Sequence, residues 1–199
     1  MTDWWYFYYS RGKLDKEKFE PSDFALDYDK ETPDFKNLKY EPMICHYQIG
    51  KNIQMGSVIV LTTTVGNKNK NRYITGYFVV KSLGELQNHP KHNEKIYNPL
   101  YMDPENSLLL LDDPIKIDKE WVDLLFPGEY KKSSQKNQTL LQFVSSKTRN
   151  SKLKEHQKSL IIKELKQRYK QGAKNYLGKN YHFEANPNLN TKNSQCNCK

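Results

Sequence analysis

The clearest pattern of apolar and polar positions lies in residues 56–81, GSVIVLTTTVGNKNKNRYITGYFVVK. Two runs rich in β-branched and aromatic residues, 58–64 and 73–80, flank a polar stretch of Gly, Asn, Lys and Arg that suits a turn. This pattern predicts a β-hairpin. Gly56 precedes the first strand and Gly76 lies inside the second, where a strongly bent sheet needs a residue without Cβ.

A run of six aromatic residues, Trp-Trp-Tyr-Phe-Tyr-Tyr, occupies positions 4–9. Because successive side chains of a strand point to opposite faces, we expect alternate rings to pack inward and the remaining rings to be covered or used for binding. The two possible inward sets are Trp4, Tyr6 and Tyr8, or Trp5, Phe7 and Tyr9.

Helical periodicity appears in the second half of the chain. Residues 151–171 carry a broad apolar stripe and end before Gly172, which predicts an amphipathic helix. A shorter helix is predicted from a cap at Asp118 to residue 126. Its expected buried face consists of Trp121, Leu124 and Leu125.

Three further segments complete the expected barrel. Residues 82–99 are polar and are predicted to form a loop. Residues 108–111 are four leucines, too apolar for an exposed position, and predict a strand. Residues 139–144 are predicted to be the last strand of the barrel.

Short motifs flank the hairpin in a fixed order: Asp34, Phe35 and the triplet 38–40 precede it, and His92, Asn93 and residues 103–107 follow it. Over residues 23–127 this order resembles the PUA-like superfamily of small barrels, which includes the EVE, ASCH, YTH and SRA domains. It is most similar to the nucleotide-modification-associated domain families, whose members are associated with modified bases in DNA. The resemblance implies a barrel fold and a DNA partner in preference to RNA.

The pattern and the resemblance together predict an α+β fold. We expect a PUA-like twisted, partly closed β-barrel with peripheral helices and a basic amphipathic C-terminal helix. The predicted domains are a barrel at 1–145, a basic helical extension at 146–184 that packs on it, and a flexible tail at 185–199. The tail is rich in Asn and Lys and has too little apolar surface to order itself.

The charge of the chain is unevenly distributed. Residues 1–130 carry 16 Lys or Arg against 20 Asp or Glu, a net −4, whereas residues 131–199 carry 16 against 3, a net +13. A basic segment attached to a slightly acidic domain is typical of a protein that binds a polyanion. Richness in Lys and Asn by itself has a plainer explanation, a solvated surface, but that does not account for the missing acids.

Several functional classes lack their usual sequence signals. The chain has no apolar run near the ~20 residues of a membrane span and no secretory signal pattern, so we expect a cytoplasmic protein without a membrane partner. Cys45, Cys196 and Cys198 fit neither a disulfide framework nor a four-ligand zinc site. No Gly-rich phosphate loop, GxSxG or HExxH motif occurs. We expect no metal and no cofactor, and catalysis stays an open question.

Aromatic rings stack on bases, polar groups bond to base edges, and Lys or Arg side chains hold phosphates. The candidate base-binding residues are Trp4, Trp5, Tyr6, Tyr8, His46, Ser57, Tyr77, His92 and Asn93. The candidate phosphate-binding residues are Arg11, Lys152, Lys154, Lys158, Lys163, Lys166 and Lys170. We expect the base to enter an aromatic pocket at the barrel mouth, beside the hairpin.

These features predict a nucleic-acid-binding protein that recognises a modified nucleobase. One alternative is an enzyme that makes, removes or cleaves beside such a modification, which a buried carboxylate and His in the pocket would favour. A second alternative is a basic accessory protein that binds nucleic acid or a partner without regard to sequence. The oligomeric state is left open.

Overall fold

The computed structural model describes residues 3–10, 34–40, 53–66, 70–89, 92–134, 138–149 and 151–178. Its strands are β1 (Trp4–Ser10), β2 (Lys39–Tyr40), β3 (Val58–Val65), β4 (Asn71–Leu83), β5 (Gln87–His89), β6 (His92–Tyr97), β7 (Leu100–Leu109) and β8 (Ile115–Lys116). Its helices are α1 (Lys119–Leu125), α2 (Glu129–Ser134), α3 (Leu140–Lys147) and α4 (Glu155–Lys170).

Six of the described strands form one mixed sheet in the order β1-β3-β4-β7-β2, with β8 paired to β4. β1 runs parallel to β3, and the other pairs are antiparallel. The sheet curls into a half-barrel beside the helices. An α+β, partly open barrel is therefore confirmed, whereas its assignment to the PUA-like superfamily stays a prediction.

The predicted hairpin is confirmed as β3 and β4, and its glycines have the expected roles. Gly56 precedes β3 with φ of 82°, a left-handed conformation that side chains disfavour. At Gly76 an added Cβ would lie 2.1 Å from Leu108 O, so β4 can approach β7 this closely only without a side chain. The β3–β4 register shifts between Leu61 and Thr62, beside this position, as expected for a bent sheet.

Both faces of the sheet are covered, so the sheet separates two cores. The helix-side core contains Tyr6, Val60 and Ile74 of the sheet together with residues of α1, α3 and α4. The far-side core contains Phe7 and Phe78 together with residues outside the sheet. Trp4 and Tyr6 therefore pack with the helix-side core, and Trp5 and Phe7 pack with the far-side core.

The outer edge of β1 is covered by the connector that leads into α4. Tyr6 N donates to Ser151 O (2.7 Å), and Leu153 N donates to Trp4 O (2.9 Å). These bonds satisfy backbone groups that an edge strand otherwise leaves open. The connector thereby fixes the start of α4 against the sheet.

The prediction of a strand at residues 139–144 is wrong, because this segment begins α3. Thr139 Oγ1 accepts from Gln142 N, and Gln142 Oε1 accepts from Thr139 N (2.9 Å), a reciprocal pair that starts a helix. Phe143 and Val144 then point into the helix-side core. α2 precedes α3 at residues 129–134.

The prediction of a loop at residues 82–99 is also wrong. β5 and β6 pair in an antiparallel two-stranded sheet that continues from the end of β4. Gly84 N donates to Pro99 O (2.7 Å) at the base of this ribbon, where Asn98 Nδ2 also donates to Gly84 O (2.8 Å). Gln87 and Asn88 of β5 are both polar and exposed, so this strand has no alternation of apolar and polar residues that would predict it.

α1 begins as predicted, with Asp118 Oδ1 accepting from Trp121 N at 3.1 Å. Its buried residues, however, are Val122 and Leu125, and Leu124 is 46% exposed. The prediction of the buried face is therefore wrong at Leu124. A residue's hydrophobicity alone does not determine which side of the helix faces the core.

The division into domains at 145 and 184 stays a prediction, and residues 179–199 lie outside the described residues. So does the segment that contains His46. Of the helices in the described ranges, none has the length and apolar content that crossing a membrane requires.

Candidate nucleic-acid interface

α4 is held at both ends by side chains. At its start, Gln157 Oε1 accepts from Lys154 N (2.8 Å), and Gln157 Nε2 donates to Leu125 O (2.9 Å) at the end of α1. At its end, the chain turns at Gly172, whose φ is 113°. Gln157 is buried although polar, because both ends of its amide are bonded.

One face of α4 is buried and another is exposed. Ile161 and Leu165 are fully buried in the helix-side core. Lys163, Lys166 and Lys170 are exposed, and their spacing of three and four residues places them along one line of the helix surface. We call these three residues the lysine row.

The other lysines predicted to bind phosphate are engaged in ion pairs. Lys152 Nζ lies 2.7 Å from Asp3 Oδ1, and Lys154 Nζ lies 2.9 Å from Glu129 Oε1. Lys158 Nζ lies 2.8 Å from Glu155 Oε2. The predicted set therefore divides into paired lysines near the start of α4 and the lysine row. Arg11 lies outside the described residues.

Arg168 is a functional neighbour that the sequence reasoning missed. Its Nε lies 2.7 Å from Glu164 Oε1, and its Nη1 lies 2.5 Å from Asp113 Oδ1. The first contact follows from the i,i+4 spacing, which a search for charge pairs along α4 would have found. Arg168 ties the end of α4 to the β7–β8 connection and also pairs with Glu164, which directly follows Lys163 of the lysine row.

The structure brings Trp4, Tyr6 and Tyr77 to the same face of the sheet. The Trp4 and Tyr77 rings are 5.9 Å apart and tilted by 38°. Trp4 is half-buried, whereas Tyr6 is 1% exposed and offers no ring face to solvent. Burial raises the pKa of the Tyr6 and Tyr77 hydroxyls. The Tyr6 hydroxyl has no hydrogen-bond partner within the described ranges.

Trp5 and Ser57 are not part of that group. Trp5 packs against the far-side core, and its buried Nε1 has no acceptor among the residues that the structure describes. Ser57 is 0% exposed, and its Oγ accepts from Gln54 N (3.0 Å) in the turn before β3. The Ser57 hydroxyl therefore stabilises this turn.

Tyr8 lies at the opposite end of β1 from Trp4, beneath a buried arginine. The Arg72 guanidinium carbon is 3.9 Å from the centre of the Tyr8 ring. Arg72 Nε and Nη2 donate to Thr148 Oγ1 (3.1 Å) and Thr148 O (3.3 Å), and Nη1 donates to Thr64 Oγ1 (3.1 Å). Burial lowers the pKa of Arg72 to about 10. The sequence reasoning missed Arg72.

His92 and Asn93 lie in β6, on the two-stranded ribbon, and the structure describes their backbone only. Their role as base-edge readers stays a prediction, as does that of His46. Across the described ranges, no group of three or more His, Cys, Asp or Glu side chains is placed to hold a metal ion.

The described carboxylates serve turns and ion pairs. Asp103 Oδ2 accepts from Asn106 Nδ2 (2.8 Å), which together with backbone bonds lowers the pKa of Asp103. Asp112 accepts from Lys174 N, at 3.1 Å for the nearer oxygen. Hydrogen bonds from Lys147 and Lys154 lower the pKa of Glu129. None of these arrangements is a carboxylate–His pair of the kind an acid–base enzyme uses.

No family model, curated protein or solved structure matches this chain. The interpretation of the site therefore depends on its own geometry.

Proposed function

We propose that the protein binds nucleic acid, with the lysine row of α4 against the phosphates. The observation that carries the proposal is the contrast between the lysines at the start of α4 and the lysine row farther along it. Lys152, Lys154 and Lys158 each have a carboxylate within 3 Å, whereas no ion pair is formed by the lysine row with any described residue.

The geometry of the lysine row suits a polymer of charges. Lys163 and Lys170 are seven residues apart, which at 1.5 Å per residue is about 10 Å along the helix axis. A nucleic-acid strand carries a phosphate every few Å, so adjacent phosphates can meet the three flexible side chains together. Because α4 is anchored by Ile161 and Leu165, the row is held on a rigid element.

Local acids do not cancel the charge of this surface. Glu164 lies next to Lys163 in the chain, but its carboxylate is bonded by Arg168 Nε at 2.7 Å. Asp113 is bonded by the same guanidinium. Lys163, Lys166 and Lys170 therefore keep a net positive field that draws phosphate oxygens and releases counterions on contact.

Recognition of a modified base is the finer part of the proposal, and Trp4 and Tyr8 are its best-supported candidates. Both rings are only half-buried, so each keeps accessible surface for a stacking base. Trp4 lies at the end of the sheet from which the ribbon with His92 and Asn93 extends, since β1 begins where β4 ends. Tyr6 and Ser57 are fully buried and support this end from behind.

Surface substitutions test the proposal better than truncation does. Removing residues 131–199 would take Phe143, Ile161 and Leu165 out of the helix-side core and unfold the protein. The test variant is the triple substitution Lys163→Gln, Lys166→Gln, Lys170→Gln. The matched control is Lys152→Gln, Lys154→Gln, Lys158→Gln, which removes the same charge from the ion-paired lysines.

Binding is measured for single- and double-stranded DNA and RNA, with and without modified bases, at several salt concentrations. The lysine-row variant is expected to reduce the slope of log K against log salt for duplex DNA by about 2 to 3, or ~0.9 per lost contact. The control is expected to change the slope by less than 1. Absence of binding by the wild type to every oligonucleotide would refute the proposal, and equal losses in both variants would favour a protein that responds to net charge alone.

A further inference from the structure

The outer surface of α4 carries one exposed aromatic side chain, and it lies beside the lysine row. Tyr169 is 49% exposed, whereas the other apolar residues of α4 are buried or half-buried. Tyr169 follows Lys166 by three positions and directly precedes Lys170. Residues three apart on a helix are neighbours on its surface, so the Tyr169 ring borders the lysine row.

The direction of helical side chains brings the ring toward these lysines. Side chains of a helix lean toward its N-terminus and cover the preceding turn. The Tyr169 ring therefore lies over the turn that contains Leu165 and Lys166. Leu165 is fully buried beneath this turn, so the exposed part of the Tyr169 side chain lies at the edge of a positively charged surface.

The end of α4 that carries Tyr169 is fixed to the rest of the fold. Arg168 Nη1 lies 2.5 Å from Asp113 Oδ1, and Arg168 Nε lies 2.7 Å from Glu164 Oε1. Leu165 anchors the same turn in the helix-side core. The backbone that carries the ring and the lysines is thus held in place before a ligand arrives, which lowers the ordering cost of binding.

Covering Leu165 explains why an apolar side chain lies at this position. A leucine or a methionine would cover the core as well, and single exposed apolar residues are common on protein surfaces. A tyrosine ring adds a flat face on which a base can stack. Cations that hold the backbone and aromatic rings that stack on bases are the two groups that proteins combine to bind single strands.

We propose that the lysine row and Tyr169 together bind single-stranded nucleic acid, with phosphates on the lysines and an unpaired base stacked on the Tyr169 ring. This inference rests on the proposed function and specifies its ligand class. In a duplex the bases are stacked on one another, so a ring on the outer surface of a helix cannot reach their faces. In a single strand the bases can turn outward and stack on aromatic side chains. The Tyr169 contact therefore selects unpaired strands and tolerates different sequences.

The test uses three probes of equal length: an oligothymidylate, the same strand built from abasic residues, and a DNA duplex. Tyr169→Leu keeps an apolar side chain over Leu165 and removes the stacking face. It is expected to weaken oligothymidylate binding about fivefold or more, and to change the affinity for the abasic strand and for the duplex by less than about twofold. Tyr169→Phe is the matched control, because it keeps the ring, and it should bind all three probes as the wild type does. Neither variant removes a charge, so the salt slopes should not change.

NMR of the Tyr169 ring protons gives a second readout that needs no destabilising substitution. The signals are assigned by their absence from the spectrum of Tyr169→Phe. A base stacked on the ring shifts these signals upfield, so the oligothymidylate is expected to shift them and the abasic strand is not. This measurement decides the question even if Tyr169→Leu fails to fold.

The proposal is wrong if the wild type binds the oligothymidylate no more tightly than the abasic strand. It is equally wrong if Tyr169→Leu weakens binding to all three probes by the same factor, or if the Tyr169 signals do not move. Each of these results leaves the phosphate contacts of the lysine row intact, and the lysine-row triple variant tests those contacts separately through its salt slope. A wild type that binds none of the three probes would overturn both proposals.

Discussion

The contact between Arg72 and Thr148 joins α3 to the sheet, and substituting Thr148 gives the sharpest test of its contribution to stability. Thr148 Oγ1 accepts from Arg72 Nε at 3.1 Å and donates to Val144 O at 2.8 Å. Thr148→Val keeps nearly the same volume and removes only the hydroxyl. The buried guanidinium then has an N–H without an acceptor.

The expected loss follows from the kind of hydrogen bond removed. A hydrogen bond to a charged group contributes about 1.5–3 kcal/mol, and an unsatisfied buried donor costs a similar amount. Val144 O retains the bond from Thr148 N at 2.9 Å, so little is lost there. We expect Thr148→Val to lower the free energy of unfolding by about 2–3 kcal/mol.

Thr62→Val is the matched control. Thr62 is equally buried, and its Oγ1 donates to Phe7 O (3.0 Å) and Thr148 O (3.3 Å), both neutral acceptors. Its expected loss is about 1 kcal/mol. Urea unfolding followed by tryptophan fluorescence measures both variants, and at a slope of ~2 kcal/mol per M the Thr148→Val midpoint falls by about 1 M.

A double-mutant cycle with Arg72→Met isolates the pair. The expected coupling energy between Arg72 and Thr148 is about 1.5–3 kcal/mol. The reasoning is refuted if Thr148→Val lies within about 0.5 kcal/mol of Thr62→Val, or if the two substitutions are additive.

Three further predictions concern packing, polar burial and pH. Gly76→Ala, with its Cβ 2.1 Å from a backbone oxygen, should cost about 3 kcal/mol or more in urea unfolding, whereas Gly128→Ala, with open space but φ of 72°, should cost about 1–2 kcal/mol. Tyr6→Phe removes a buried hydroxyl without a described partner, so unfolding should show equal or greater stability; a loss above ~1 kcal/mol would contradict this. The lysine contacts of Glu129 lower its pKa in the folded protein. The ion pairs therefore stabilise the fold above the unfolded pKa of ~4.3, and this stabilisation is lost as pH falls through the folded pKa. Glu129→Gln should therefore be less stable by about 0.5–1 kcal/mol at pH 7 and equal to the wild type once the pH lies below the folded pKa, and a difference that does not change with pH would be inconsistent with the assignment.

The β3–β4 hairpin and the start of α1 were predicted correctly, because local sequence determines both. The β3–β4 hairpin follows from two β-branched runs and a polar turn, and Gly76 marks its closest approach to another strand. The start of α1 follows from the cap at Asp118. In each case the residues that decide the structure lie within a few positions of one another.

Residues 139–144 show where the same reasoning failed. A short apolar run fits a buried strand and a buried helix equally well, so periodicity does not decide between them. Thr139 and Gln142 carried the deciding signal, since their spacing is that of a reciprocal helix cap. Giving that cap more weight than the apolar run would have predicted α3.

The candidate site was predicted only in part, because its partners are far apart in the chain. Nothing local distinguishes Lys152 from Lys163, and the difference arises only when folding brings Asp3 to Lys152. Arg72 and Thr148 are likewise 76 positions apart.

The aromatic strand shows what the two-sided burial of the sheet implies for function. The two-residue period of β1 was expected to leave one set of rings either covered or used for binding, and Tyr6 and Phe7, which point in opposite directions, are both buried. When both faces of a sheet are covered, a ligand can reach only the ends of the sheet and the outer surfaces of the elements that cover it. Trp4 lies at one end of β1, Tyr8 lies toward the other, and the lysine row lies on the outer surface of α4. We therefore expect nucleic acid to contact these places and the β5–β6 ribbon, and we expect substitutions in the middle of β1 to alter stability before they alter binding.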